Sequence, residues 1–150
     1  MFNKYFDDIK VGDKVVSRGR TITEADLVNF CMFSADWFSL HSDVVYAKNS
    51  MFGERIAHGL LVLSVASGLV PLEPEYTIAF YGMDRVRFVN PTLIGDTIHV
   101  EGEVIEKEER SEQSGVVTYR QTVKNQRGED AAVGIMKVLM ARQKRRKEKK

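Results

Sequence analysis

A chain of 150 residues, 43% hydrophobic and 29% charged with a formal net charge of +1, has the size and balance of one soluble globular domain and excludes a chain disordered throughout. Its first residues, Met1 to Asp8, carry charges where an export signal needs an apolar run, and no segment reaches the roughly 18 apolar residues of a membrane span, so a cytoplasmic protein without membrane contact is expected. The single cysteine, Cys31, excludes an internal disulfide and, with no compact His/Cys cluster, argues against a metal centre; beside Phe30 and Phe33 it reads as core.

In chain order, Val11-Gly12-Asp13 is a turn signal and residues 10–22 read as a short strand. Thr23 precedes Glu24 and Asp26 as a helix cap with acids at the positive end, predicting a helix to Ser34 that buries Leu27, Phe30, Cys31 and Phe33. A short helix capped by Ser42 is expected to reach Lys48. From Gly59 to Val70 nearly every residue is apolar or small, so this helix should be buried on most sides, with Gly68 and Pro71 at its end. Beyond Pro74 the period changes to that of strands: four of them, centred on 76–89, 98–104, 117–124 and 131–140, separated by Asn90-Pro91, Ile94-Gly95-Asp96, 108–115 and Asn125 to Gly128. The fold class expected is α+β, a single antiparallel sheet curled round one buried helix in the hotdog arrangement and spanning residues 1–141. Its unpaired edges make a homodimer the default. Residues 142–150 hold seven basic residues against Glu148 and read as a solvated, disordered tail; with no basic stripe elsewhere, no nucleic-acid partner is expected.

The chemistry concentrates in residues 36–64. Asp36 and His41 lie five residues apart in a non-repeating stretch, an arrangement as compatible with a cap and a surface imidazole as with an acid/base pair. The intervening Trp37, Phe38 and Leu40 would partly desolvate the loop and perturb its proton affinities. His58-Gly59 opens the apolar helix. Either His58 caps or packs there and Gly59 admits a close neighbour, or the Gly59 amide faces an oxygen gaining negative charge. His99 should face outward on its strand.

Asp36-x-x-x-Leu40-His41, Tyr46-Ala47-Lys48 and Phe52-Gly53-x-Arg55-Ile56-Ala57-His58-Gly59-Leu60-Leu61-x-x-Ser64, followed by Phe88-Val89-Asn90-Pro91 and Gly95-Asp96-Thr97, resemble the signature of the MaoC-like family of (R)-specific enoyl-CoA hydratases across about residues 8–140. The resemblance implies a hotdog dimer and a hydro-lyase that reversibly adds water to a trans-2-enoyl thioester, giving the (3R)-3-hydroxyacyl thioester. By that analogy Asp36 and His41 are catalytic and activate the water, and the Gly59 amide holds the thioester oxygen. Ser64 and His58 stand behind them, Ser64 bonding toward the Asp36 loop, while Trp37 and Phe38 line the substrate pocket. Coenzyme A enters only as part of the substrate, with no separate cofactor, and Arg85 and Arg87 are cationic candidates to meet it. Phe38 and Ser39 depart from the Asn-Pro usual in the family, which points to a short, branched or otherwise unusual acyl group. Two other readings compete: an acyl-CoA thioesterase, disfavoured because positions 60–70 hold no carboxylate, and a non-catalytic acyl-thioester-binding protein.

Overall fold

The structure, a computed structural model, describes residues 1–143. A short 3-10 turn at Phe6–Asp8 leads to two small strands, β1 (Lys14–Val16) and β2 (Arg20–Thr21), where one strand was expected. Ser17 separates them: its amide donates to the Val100 carbonyl, and its hydroxyl accepts from the Val100 amide, both at 2.8 Å. Four helices follow, α1 (Glu24–Ser34), α2 (Ser39–Ser42), α3 (Val44–Lys48) and α4 (Gly59–Leu69). The chain closes with long strands β3 (Thr77–Phe88), β4 (Thr97–Glu109), β5 (Ser114–Lys124) and β6 (Asp130–Ala141). All pairings are antiparallel in the order β1-β4-β5-β6-β3, with β2 also on β4. This is the expected hotdog architecture, the sheet wrapping the buried face of α4.

Local chemistry explains the helix boundaries. Thr23 and Asp26 cap α1 reciprocally: the Asp26 amide donates to the Thr23 hydroxyl at 3.3 Å, and the Thr23 amide donates to the Asp26 carboxylate at 2.8 Å. Leu27 and Cys31, four residues apart, face the core, whereas Phe33 is 89% exposed against expectation, because two residues beyond Cys31 the helix has turned to its opposite side. Asp43 caps α3 in place of Ser42, accepting from the amides of Val45 and Tyr46, both at 2.9 Å. The Ser42 hydroxyl instead donates back to the Trp37 carbonyl at 2.8 Å.

Helix α4 buries Leu61, Val62, Val65, Ala66 and Leu69 against the sheet. Its opposite stripe, Leu60, Ser64, Ser67 and Gly68, is exposed, so burial on most sides is not achieved by one chain. The end strand β3 is open in the same way: Ile78, Phe80, Tyr81, Met83 and Phe88 are all exposed. A register shift between Asp84 and Arg87, with Arg85 at φ 52°, puts a bulge in this strand and turns Arg85 and Arg87 outward. The N-terminus packs on the same buried face of the sheet as α4 and extends its core: Phe2 and Phe6 are buried, and Phe2 meets Tyr119 edge-on at 5.1 Å. Arg142 and Gln143 do not belong to a free tail: Arg142 pairs with Asp7 at 2.8 Å and Glu109 at 3.0 Å, and the Gln143 amide donates to Asp7 at 3.1 Å. The rest of the expected tail, 144–150, lies outside the described residues. Among the described residues no helix is long and apolar enough to cross a membrane.

Candidate active site

Helix α1 ends in a conformation that aims the chain at the site. Ala35 takes a left-handed φ of 59° and donates to the Cys31 carbonyl at 2.9 Å, a costly state for a residue with a Cβ. Asp36 follows at once: its amide donates to the Ser34 hydroxyl at 3.2 Å, and one carboxylate oxygen accepts from the Phe38 amide at 3.2 Å. That turn starts α2 and carries His41 back towards Asp36.

His41 is fixed by a backbone group. Its Nδ1 lies 2.8 Å from the Ile56 carbonyl, which can only accept, so Nδ1 bears the proton and Nε2 presents a lone pair in the neutral ring. Ile56 is itself held by a bridge to Leu93, and the Ala57 amide donates to the Thr92 carbonyl at 2.8 Å, so the sheet's β3–β4 connection sets the height of the imidazole. Asp36, His41 and His58 each bring one ligating atom within 4.8 Å of the others. The sequence pair is thus brought together, with His58 as a third member.

His58 is buried at 2% exposure and caps nothing with its side chain. Its Nε2 stands 3.0 Å from the Asp36 carbonyl and 3.5 Å from Cys31 Sγ, while its ring stacks on His41 at 3.9 Å and packs on Phe30 at 4.8 Å. Burial holds its pKa below the ordinary imidazole range, although the bond to the Asp36 carbonyl opposes that shift. Burial likewise raises the pKa of the Cys31 thiol. The planes of the two imidazoles are tilted by 31° to one another.

Three expectations need correction or restatement. Ser64 does not reach the Asp36 loop: its hydroxyl donates to the Leu60 carbonyl one turn back at 2.7 Å and lies on the exposed stripe of α4. Trp37 and Phe38 are 50% and 55% exposed, so within one chain they do not desolvate Asp36, which is itself exposed. Gly59 has a packing reason to be glycine, since a Cβ there would stand 2.6 Å from the Phe88 ring; its amide, at the first position of α4, has no acceptor within the helix. His99 is on the outward side of β4, 3.4 Å from Glu101. Sequence reasoning missed the Ile56 carbonyl, which no residue type can announce. It also missed Cys31 as a neighbour of His58, although the buried Leu27/Cys31 face was a usable signal.

A cavity of about 240 Å³ lined by Val44, Lys48, Gly53, Glu54, Arg55 and Ile94 contains neither Asp36 nor His41. The pair instead sits beside open apolar surface, with Phe38 edge-on to His41 at 5.8 Å.

A family model described as MaoC like domain matches residues 8–126. The chain is 42% identical over 130 residues to the protein MaoC of Klebsiella aerogenes, covering 86% of this chain and 35% of that one. It is 35% identical over 94 residues to an (R)-specific enoyl-CoA hydratase of Rhodospirillum rubrum, covering 63% of this chain and 65% of that one. The solved structure of a monoamine oxidase regulatory protein from Archaeoglobus fulgius superposes with a TM-score of 0.88 at 44% identity, over 93% of this chain and 95% of that one. The chain therefore spans about a third of the Klebsiella protein and just under two thirds of the Rhodospirillum hydratase. The match of one family model to most of the chain, on the fold and the residues just described, means that this protein belongs to the MaoC-like dehydratase domain family.

Proposed function

We propose that the protein is a hydro-lyase that reversibly hydrates a trans-2-enoyl-CoA thioester to the (3R)-3-hydroxyacyl thioester. The observation that carries this reading is the state of His41: with Nδ1–H donated to the Ile56 carbonyl at 2.8 Å, its Nε2 is the acceptor offered to a substrate, on a ring that has a nitrogen within 4.8 Å of the Asp36 carboxylate. A water held by the pair gives up a proton as its oxygen bonds to C3. The electrons of the C2=C3 bond move towards the thioester, and the pair returns a proton to C2 on the same face. The enolate-like oxygen formed in between is received by the Gly59 amide, where the dipole of α4 favours negative charge.

Phe38, standing at the edge of the His41 ring, limits the room for an extended acyl chain and favours a short or branched one. The exposed Leu60 stripe of α4 and the open edge of β3 support a homodimer in which both are covered by a second copy. A thioesterase on this fold would need a carboxylate that Gly59–Leu69 does not carry. Crotonyl-CoA supplies the test: loss of its enoyl absorbance, without release of free thiol, is expected. Thiol release without hydration would overturn the assignment, and esters of graded length and branching read out the acyl preference.

A further inference from the structure

His58 reaches both members of the pair with one ring. The Asp36 carbonyl can only accept, so the 3.0 Å contact requires a proton on His58 Nε2, and the bond pins the backbone of the residue that bears the carboxylate. The face of the same ring lies 3.9 Å from His41, closing off rotation of that imidazole about its bond to Ile56. With Nε2 protonated and the ring neutral, Nδ1 is a lone pair, and it is buried without a partner. An unpaired buried acceptor costs about 1–3 kcal/mol, an unusual choice for a residue whose only task is to fill space. Phe30 already supplies an aromatic filler on the other side of the ring, at 4.8 Å.

We propose that His58 is the positioning residue of this site, fixing the Asp36 backbone by its Nε2–H and the His41 ring plane by stacking, so that the pair keeps its spacing while protons move through it. This rests on the hydro-lyase reading for its kinetic consequence only. The groups facing His58 are the Cys31 thiol from α1, the Asp36 carbonyl and carboxylate from the loop, and His41 from α2. A proton gained by His58 would place a cation against His41 and break the lone-pair arrangement, so the device works only with His58 uncharged.

Two substitutions separate the two contacts. His58→Phe keeps a flat ring against His41 and removes the donor; His58→Gln keeps an N–H and removes the ring. In folded protein each is expected to lower kcat with crotonyl-CoA by about 10²-fold and to leave KM within about threefold, because the loss is of geometry at the reacting centre. Folded variants with kcat within about twofold of the parent would overturn the proposal. A readout independent of turnover is the nitrogen-detected titration of the imidazoles. In the unsubstituted protein His58 should appear as the Nε2–H tautomer and stay neutral below the ordinary imidazole pKa of about 6.5. An Nδ1–H tautomer or a charged His58 at neutral pH would each overturn it. These signals also decide the matter if neither variant folds, or if the protein proves not to hydrate enoyl thioesters.

Discussion

Two aspartates of the domain, one on either side of the Ile56–Leu93 bridge, have been put to opposite uses. Asp96, at the turn into β4, is 3% exposed and heavily bonded: it accepts from the Leu93 amide at 2.9 Å, Gln126 Nε2 at 2.8 Å and Arg127 Nη1 at 2.9 Å. Asp36, at the exit from α1, is exposed; among the described residues its carboxylate takes one bond, from the Phe38 amide at 3.2 Å, and two histidines lie within 4.8 Å. A buried carboxylate holding three donors, one of them a guanidinium, serves to hold the fold together. One with spare acceptor capacity beside an imidazole can exchange a proton with something that arrives.

The largest effect should come from removing that spare capacity. Asp36→Asn or His41→Ala is expected to lower the hydration rate by about 10³-fold or more; the exposed Asp36→Asn should melt close to the parent, whereas His41→Ala also gives up the bond to the Ile56 carbonyl and the contact with the buried His58 ring and should melt somewhat lower. A variant with near-normal turnover would break the contrast at its functional end. Asp96→Asn should do the reverse. It removes the buried charge paired with Arg127 Nη1, leaving Arg127 only Glu129, and sets a buried amide facing donors, at a cost of about 2–3 kcal/mol, while turnover per folded molecule is retained. Burial alone would raise the Asp96 pKa, but the bonds from Arg127, Leu93 and Gln126 outweigh it and hold the group below the ordinary carboxylate range. Since the folded pKa is depressed, the stabilisation is complete above the unfolded value of about 3.9 and is lost as pH falls through the folded one. Denaturant titrations between pH 7 and pH 3 should therefore show the difference between parent and Asp96→Asn shrinking towards the acid end.

The Asp96 side was legible in the sequence only as a turn, and the Asp36 side only as a candidate. Gly95-Asp96 announced a tight corner, borne out by Gly95 at φ 94°, but nothing local says that Arg127, 31 residues on, closes over the carboxylate. The strands and α4 were readable because their periods of two and near 3.6 survive in β4, β6 and the buried face of α4. The expectation that α4 is buried on most sides was not met within one chain for a physical reason: small and apolar residues at 60, 64, 67 and 68 reveal a surface meant to be covered, not what covers it. Residues 1–8 were read only for the charges that argue against an export signal, yet Phe2 and Phe6 pack on β5, where a Cβ at Gly115 would collide with the Phe6 ring. Long-range closure of this kind leaves no local trace.

A smaller effect separates packing from chemistry at the front of α4. Gly59→Ala keeps the backbone amide but drives a Cβ to 2.6 Å from the Phe88 ring. Phe88 is 52% exposed and can swing aside, so overpacking should cost about 1–2 kcal/mol. A double-mutant cycle with Phe88→Ala is expected to show coupling of about 1 kcal/mol in the melting data. Zero coupling would mean that glycine is required there for another reason.

The smallest effect belongs to the brace between the two helices that flank the Asp36 region. Arg55 pairs through both terminal nitrogens with Glu24, Nη1 standing 2.8 Å from one carboxylate oxygen, and so ties the start of α1 to the segment leading into His58. The hydrogen bond from Arg55 holds the Glu24 pKa below its ordinary value, so its contribution is present above about pH 4.5 and fades as pH falls through the folded value. The Glu24 side chain is 55% exposed, however, and water and salt screen the pair. Glu24→Gln should cost only about 0.5 kcal/mol in low salt and less in high salt, with hydration unaffected, as two melts at different ionic strength and one assay would establish. A loss several times larger, or one that salt fails to reduce, would mean that the exposed Asp36 region depends on a charged lock as the Asp96 corner does, and the contrast between the two carboxylates would no longer divide the molecule.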